Sequence, residues 1–212
     1  MKEFKIREFI AKKFMKTGYS HTTIQKTPLG DKITIYTTRP GMVVGRKGEN
    51  IKKLTIVLKN KYSLENPQIE IGEVENQFLD AQSIAEKIAY SLEKFGSKGF
   101  KSIGYKTLQS IIDAGALGAE IIMAGKIPSA RARRWRFING YLKKCGDVSD
   151  TQVIRGESTA HLKVGAVGIS VSIMPKTVKL PDRIIFKNSA EQQIQEVKKE
   201  NEAEVIKKSR KK

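Results

Sequence analysis

The run Val43-Val44-Gly45-Arg46-Lys47-Gly48-Glu49-Asn50-Ile51-Lys52-Lys53-Leu54 constrains this chain more than any other. Two glycines three positions apart let the backbone turn sharply without a Cβ, and two cations occupy the turn between them. Val43 and Val44 lead into it, and Ile51, Leu54, Val57 and Leu58 follow at helical spacing. A turn that opens directly onto a helix offers amide N–H groups without intrahelical partners, at the positive end of the helix dipole. Such a place attracts a phosphate. Arg46 and Lys47 add charge to it, and Lys52 and Lys53 lie one turn on, within reach of neighbouring phosphates.

Glycines at this spacing occur four times, beginning at Gly45, Gly96, Gly115 and Gly165, whereas 17 glycines in 212 residues should give about one such pair by chance. The first alone has two basic residues at its centre and the flanking apolar pattern, so context selects it. Upstream, Phe4, Ile6, Phe9, Ile10 and Phe14 predict an amphipathic helix over 2–17, ended by Gly18. Two β-prone runs, 20–26 and 32–38, flank the turn-forming Thr27-Pro28-Leu29-Gly30-Asp31, and a strand is predicted over 68–74. The order is helix, strand, strand, short helix, Gly-rich loop, helix, strand. In that order, and at every defining position of the Gly-rich run, the segment resembles a KH domain of type II, in which a helix and hairpin precede the loop. The resemblance implies RNA binding, with a phosphodiester on the loop amides and bases on the adjoining apolar groove. KH-bearing assembly GTPases share the topology, but no G-x-x-x-x-G-K-[ST] phosphate loop occurs in this sequence.

Residues 80–95 repeat Ala81, Ile84, Ala85, Ile88, Ala89 and Leu92 on one helical face, predicting a helix packed on the preceding sheet. Gly96-Ser97-Lys98-Gly99 then breaks the pattern, which places the domain boundary there and gives an N-terminal domain of residues 1–95. A second domain, 96–186, is predicted as α+β: a helix over 102–114, a buried strand over 119–124, and alternating runs over 134–142, 151–164 and 167–175 forming a mostly antiparallel sheet. The fold class of the whole is α+β. Residues 187–212 carry eight basic and five acidic side chains and few apolar ones, so this tail supplies no core and is expected to be solvated, helical or disordered.

Lys and Arg number 40 against 22 Asp and Glu, a formal charge of +18 that calls for a polyanionic partner. The charge concentrates between Lys126 and Lys144, where Lys126, Arg131, Arg133, Arg134, Arg136, Lys143 and Lys144 meet no acid and Trp135, Phe137 and Tyr141 are interleaved. Arginine forks pair with phosphates. Strand alternation puts Trp135 and Phe137 on one face as core, with Arg134 and Arg136 on the other for RNA. No run of 18 apolar residues and no signal peptide with an apolar core appears, so a soluble intracellular protein without membrane partners is expected. Cys145 stands alone, and His21 and His161 add little ligand capacity, so neither a metal site nor a cofactor is expected. No motif pairs Cys145 or a serine with His161 as nucleophile and base, so an enzyme is not expected.

Over nearly its whole length the chain resembles the S-three family of small-subunit ribosomal proteins, in its archaeal or eukaryotic form. Besides the KH run, the carriers are Gly115-Ala116-Leu117-Gly118-Ala119-Glu120, Ala124-Gly125-Lys126, Arg131-Ala132-Arg133 and Gly165-Ala166-Val167-Gly168-Ile169-Ser170-Val171. The resemblance implies a structural, non-enzymatic role in the cytoplasmic ribosome, on small-subunit rRNA in the head, among neighbouring head proteins and beside the mRNA entry channel. It also implies that a basic helix after the KH domain faces mRNA. Here that helix falls at 99–114, where Lys101 and Lys106 supply the charge and Ser102 stands where bacterial relatives carry the second of two adjacent arginines. A free KH protein of RNA processing or ribosome assembly is the alternative that the residues alone leave open.

Overall fold

The computed structural model describes residues 1–178 and Leu180, apart from Lys16, Leu29 and Ala130. The charged segment 187–212 lies outside the described residues. Helix α1 (Lys2–Phe14) turns Ile6, Ile10 and Phe14 inward over a three-stranded sheet. In it β1 (Tyr19–Thr27) pairs antiparallel with β2 (Gly30–Thr37), and β2 pairs parallel with β3 (Gln68–Glu73). Parallel neighbours need a crossover. The chain makes it through α2 (Pro40–Val44), the glycine turn and α3 (Glu49–Tyr62). Alternation along β2 buries Ile33 and Ile35, which meet Val43 of α2 and Leu54 and Leu58 of α3. The element order is the one the sequence predicts for a type II KH domain.

The second core is built on a four-stranded antiparallel sheet of order β5-β4-β7-β6, made of β4 (Ala116–Gly125), β5 (Arg133–Gly140), β6 (Ile154–Leu162) and β7 (Gly165–Pro175). Helices α4 (Ala81–Phe95) and α5 (Phe100–Asp113) cover one face, and Ile121, Met123, Ile169, Val171 and Ile173 point into it. A five-residue helix, α6 (Asp147–Thr151), precedes β6; it is too short to carry a periodic sequence signal.

Helix α4 departs from the prediction. Its apolar stripe packs not on the first sheet but in the second core, together with Phe100, Leu108 and the strands. The predicted break at Gly96 therefore falls inside one hydrophobic cluster, with Leu92 before it and Phe100 after it. The reason lies in the partners: Ala81, Ala85 and Ala89 are small enough for a helix to lie close on a sheet, and the edge of β6 offers hydrogen bonds to its polar side chains. Gln82 Nε2 donates to the Glu157 carbonyl and Gln82 Oε1 accepts the Glu157 N–H, both at 3.1 Å. One helical stretch further on, Glu93 accepts the His161 N–H at 3.0 Å. Gly156 permits the approach, since a Cβ there would stand 2.4 Å from the Ala81 carbonyl carbon and the Gln82 nitrogen. Asp80 caps the helix by accepting from Ser83 N at 3.2 Å.

On the same helix Glu86 is buried, and its Oε2 has no hydrogen-bond partner among the described residues. Desolvation, helped by the nearby Asp80 charge, pushes its carboxyl up to about 8.

Two outcomes follow for stability. Gly156→Ala drives a methyl group into the backbone of α4 and should lower stability by about 1–3 kcal/mol, read as an earlier urea midpoint. Folded Glu86 keeps its proton up to about pH 8, whereas the unfolded carboxyl loses it near 4.5. Between those values the native state binds the extra proton, so stability is full below pH 4.5 and falls as pH rises, by at most about 1.4 kcal/mol per unit. Glu86→Gln should remove that decline when urea midpoints are compared at pH 5 and pH 8.

Candidate RNA interface

The turn between α2 and α3 is shaped by backbone angles that few side chains tolerate. Gly45 sits at φ 72°, ψ −177°, a region essentially reserved for glycine, and a Cβ there would meet the Asn50 side chain at 2.5 Å. Arg46–Gly48 forms one tight helical turn in which Lys47 (φ 53°) and Gly48 (φ 73°) are both left-handed. Left-handed residues beside right-handed ones are the backbone pattern of an anion seat, here a candidate one at the start of α3. The Gly48 N–H is directed to the Gly45 carbonyl at 3.4 Å and the Glu49 N–H to the Arg46 carbonyl, so part of the donor set serves the turn itself.

Charge around the seat is unequal. Lys53 is tied to Glu49 at 2.6 Å, and this hydrogen bond holds the Glu49 carboxyl below its usual range. Arg46, Lys47 and Lys52 form no ion pair among the described residues. Glu49 puts a negative charge on the first turn of α3, where an incoming phosphate would lie.

The second basic set divides between the two faces of β5. Lys101 of α5 and Arg133 of β5 lie over the half-buried Trp135 ring, at 5.1 and 4.6 Å from its centroid, and Phe100 packs on that ring at 5.0 Å. Phe137 is buried on the same face. Arg134 and Arg136 stand on the opposite face. Arg136 pairs with the buried Glu120 of β4, which Lys144 also holds at 2.7 Å. Burial raises the Glu120 carboxyl, but Lys144 and Arg136 outweigh it and keep the group below its usual range. Lys126 and Arg131 are exposed on the β4–β5 connection, and Lys106 is exposed on α5.

Comparison with known proteins agrees with both halves. Residues 5–77 match the KH domain family, and residues 88–173 match the family described as ribosomal protein S3, C-terminal domain. The small ribosomal subunit protein uS3 of Methanocaldococcus jannaschii is 42% identical over 191 residues, covering 90% of this chain and 91% of that protein. The chain belongs to the uS3 family. Proteins of the same name from Methanococcus vannielii and Methanococcus maripaludis (strain C5) are 41% and 39% identical, over 85% and 93% of this chain and 85% and 92% of their own lengths.

In this uS3 chain the structure gathers Gly45, Arg46, Lys47, Gly48 and Lys52 at one helix start, brings Lys101 and Arg133 to one indole, and separates both from Arg134 and Arg136. What sequence reading missed is the acidic counterpart of the basic segment. Glu120 lies inside an apolar run, and only its register opposite Ile138, beside Arg136 on the same face, shows that it neutralises cations counted toward RNA.

Arg46→Ala with Lys47→Ala should weaken binding of a single-stranded RNA and make the slope of log K against log salt shallower by about 1.4, since about 0.7 is lost per phosphate contact. Glu49→Gln, which removes a like charge from the seat and frees Lys53, should tighten binding by about two- to fivefold in the same titration.

Proposed function

We propose that this chain is a structural, RNA-binding constituent of the small ribosomal subunit, seated on small-subunit rRNA in the head and lining part of the mRNA entry path. The observation that carries this reading is the glycine turn with three cations that have no ion-pair partner among the described residues, in a chain that matches a uS3 relative over nine tenths of its length. A phosphate reaching the turn meets the positive end of α3, and Arg46, Lys47 and Lys52. A formal charge of +18 is relieved by rRNA, and the release of condensed counterions drives the association.

The role is one of binding rather than catalysis. Lys101 and Lys106 project from α5 and favour single-stranded phosphates along a narrow path, while the translocating ribosome supplies the energy for opening structured mRNA. Neighbouring head proteins and the cytoplasmic ribosome are the setting.

The test is sedimentation of the tagged chain from lysate through sucrose gradients at moderate and high salt, with RNA recovered from the peak. Travel with small subunits through the salt wash is the expected result. Retention at the top with short RNAs overturns the ribosomal assignment in favour of a free KH protein.

A further inference from the structure

A furrow of about 420 Å³ runs between α4 and α5 on the side of α5 that carries Lys106. Its floor is apolar, with Ile84 and Ile103. Three of the four hydroxyls along it turn away to serve the helices: Ser91 donates to the Lys87 carbonyl, Ser110 to the Lys106 carbonyl and Thr107 to the Ile103 carbonyl. Two aromatic rings line it and are open to solvent, Phe78 at 37% and Phe95 at 68% exposure. Two large apolar rings gathered along one apolar groove form a contiguous patch of the kind that marks an interaction site.

Charge selects the partner. The lining holds Lys87 and Lys106 and no acidic residue. Lys87 Nζ stands 4.7 Å from the Phe78 ring centroid, and Lys94 Nζ stands 5.5 Å from that of Phe95. Among the described residues Lys87 and Lys106 are in no ion pair. Each ring is thus joined by a cation, the pairing that binds a base by its π-face and the adjoining phosphate by charge. A stacked duplex offers no free base faces. An unpaired strand does.

We infer that the α4–α5 furrow is a single-stranded RNA subsite, seating unpaired bases against Phe78 and Phe95 and their phosphates against Lys87 and Lys106. The inference rests on the reading that α5 faces single-stranded RNA. It adds to that reading a contact with base faces, indifferent to base identity, where the earlier one has only charge.

The experiment uses the full chain with Arg46→Ala and Lys47→Ala, so that the glycine turn does not mask the furrow. Fluorescence anisotropy is measured on an end-labelled single-stranded RNA and on an abasic strand of equal length. Phe78→Ala with Phe95→Ala should weaken the intact strand about tenfold and leave the abasic strand unchanged. Phe78→Tyr with Phe95→Tyr should restore binding, because the π-faces remain. A 2-aminopurine in the strand should be quenched by the parent and the tyrosine variant but not by the alanine one. Equal loss on both strands, or no loss on either, overturns the subsite. Lys101→Ala separates the two claims. If it weakens both strands while the phenylalanine variants do nothing, α5 still faces RNA and only the furrow is wrong. If Lys101→Ala changes nothing, the reading beneath it falls as well.

Discussion

The docking of α4 on the edge of β6 is the contact on which the arrangement of residues 81–175 depends. An edge strand presents unpaired N–H and C=O groups, and here one side-chain amide satisfies both groups of Glu157 as a neighbouring strand would, while Glu93 satisfies His161. That fixes the helix along the strand as well as against the sheet. Its apolar stripe then covers β6 and β7, and the short turn after Phe95 leaves α5 to lie over Phe137 and the β4–β5 half of the same face. The position of α5, and so of Lys101 and Lys106, follows from where α4 ends on the sheet and from Phe100, Leu108 and Ile111 packing in the same core.

Electrostatics sorts the basic residues into two populations. Lys53, Arg136 and Lys144 are neutralised within the fold, by Glu49 and Glu120. Arg46, Lys47, Lys52, Lys87 and Lys106 have no ion-pair partner among the described residues. The first population orients structure, and the second is available to a polyanion. Exposed pairs such as Lys53 with Glu49 contribute little stability. Their effect is to lower the charge met by a phosphate at the loop.

Much of the first core was legible in the sequence because the signals there are local. A glycine pair at positive φ, an alternating strand through Ile33 and Ile35 and a helical stripe through Leu54 and Leu58 each follow from neighbours within a few positions. The placing of α4 was not legible. Its periodicity states that one face is apolar but not which sheet receives it, and the deciding groups, Gly156, Glu157 and His161, lie about 70 residues away. The same holds for the candidate site: the charge of Arg46 and Lys47 could be read directly, whereas the capture of Arg136 by Glu120 required the register of β4 against β5. The furrow rings were hidden in another way, since Phe78 lies outside the helical stripe, Phe95 only ends it, and the two share one groove through the packing of α4 and α5.

The partnership of α4 with β6 and β7 also sets an order of events during synthesis. The first core is complete once β3 has emerged, at Glu73, and every residue that fills it lies upstream or within that strand. Helix α4 then leaves the exit tunnel with Ile84, Ile88 and Leu92 uncovered, and the strands that bury them end only at Pro175. For the time needed to make some eighty further residues, at roughly 5–20 per second, that face waits in solvent beside a finished domain. A nascent chain of this kind is vulnerable through helices made before their sheet, and whatever attends it before assembly has that apolar stripe to recognise.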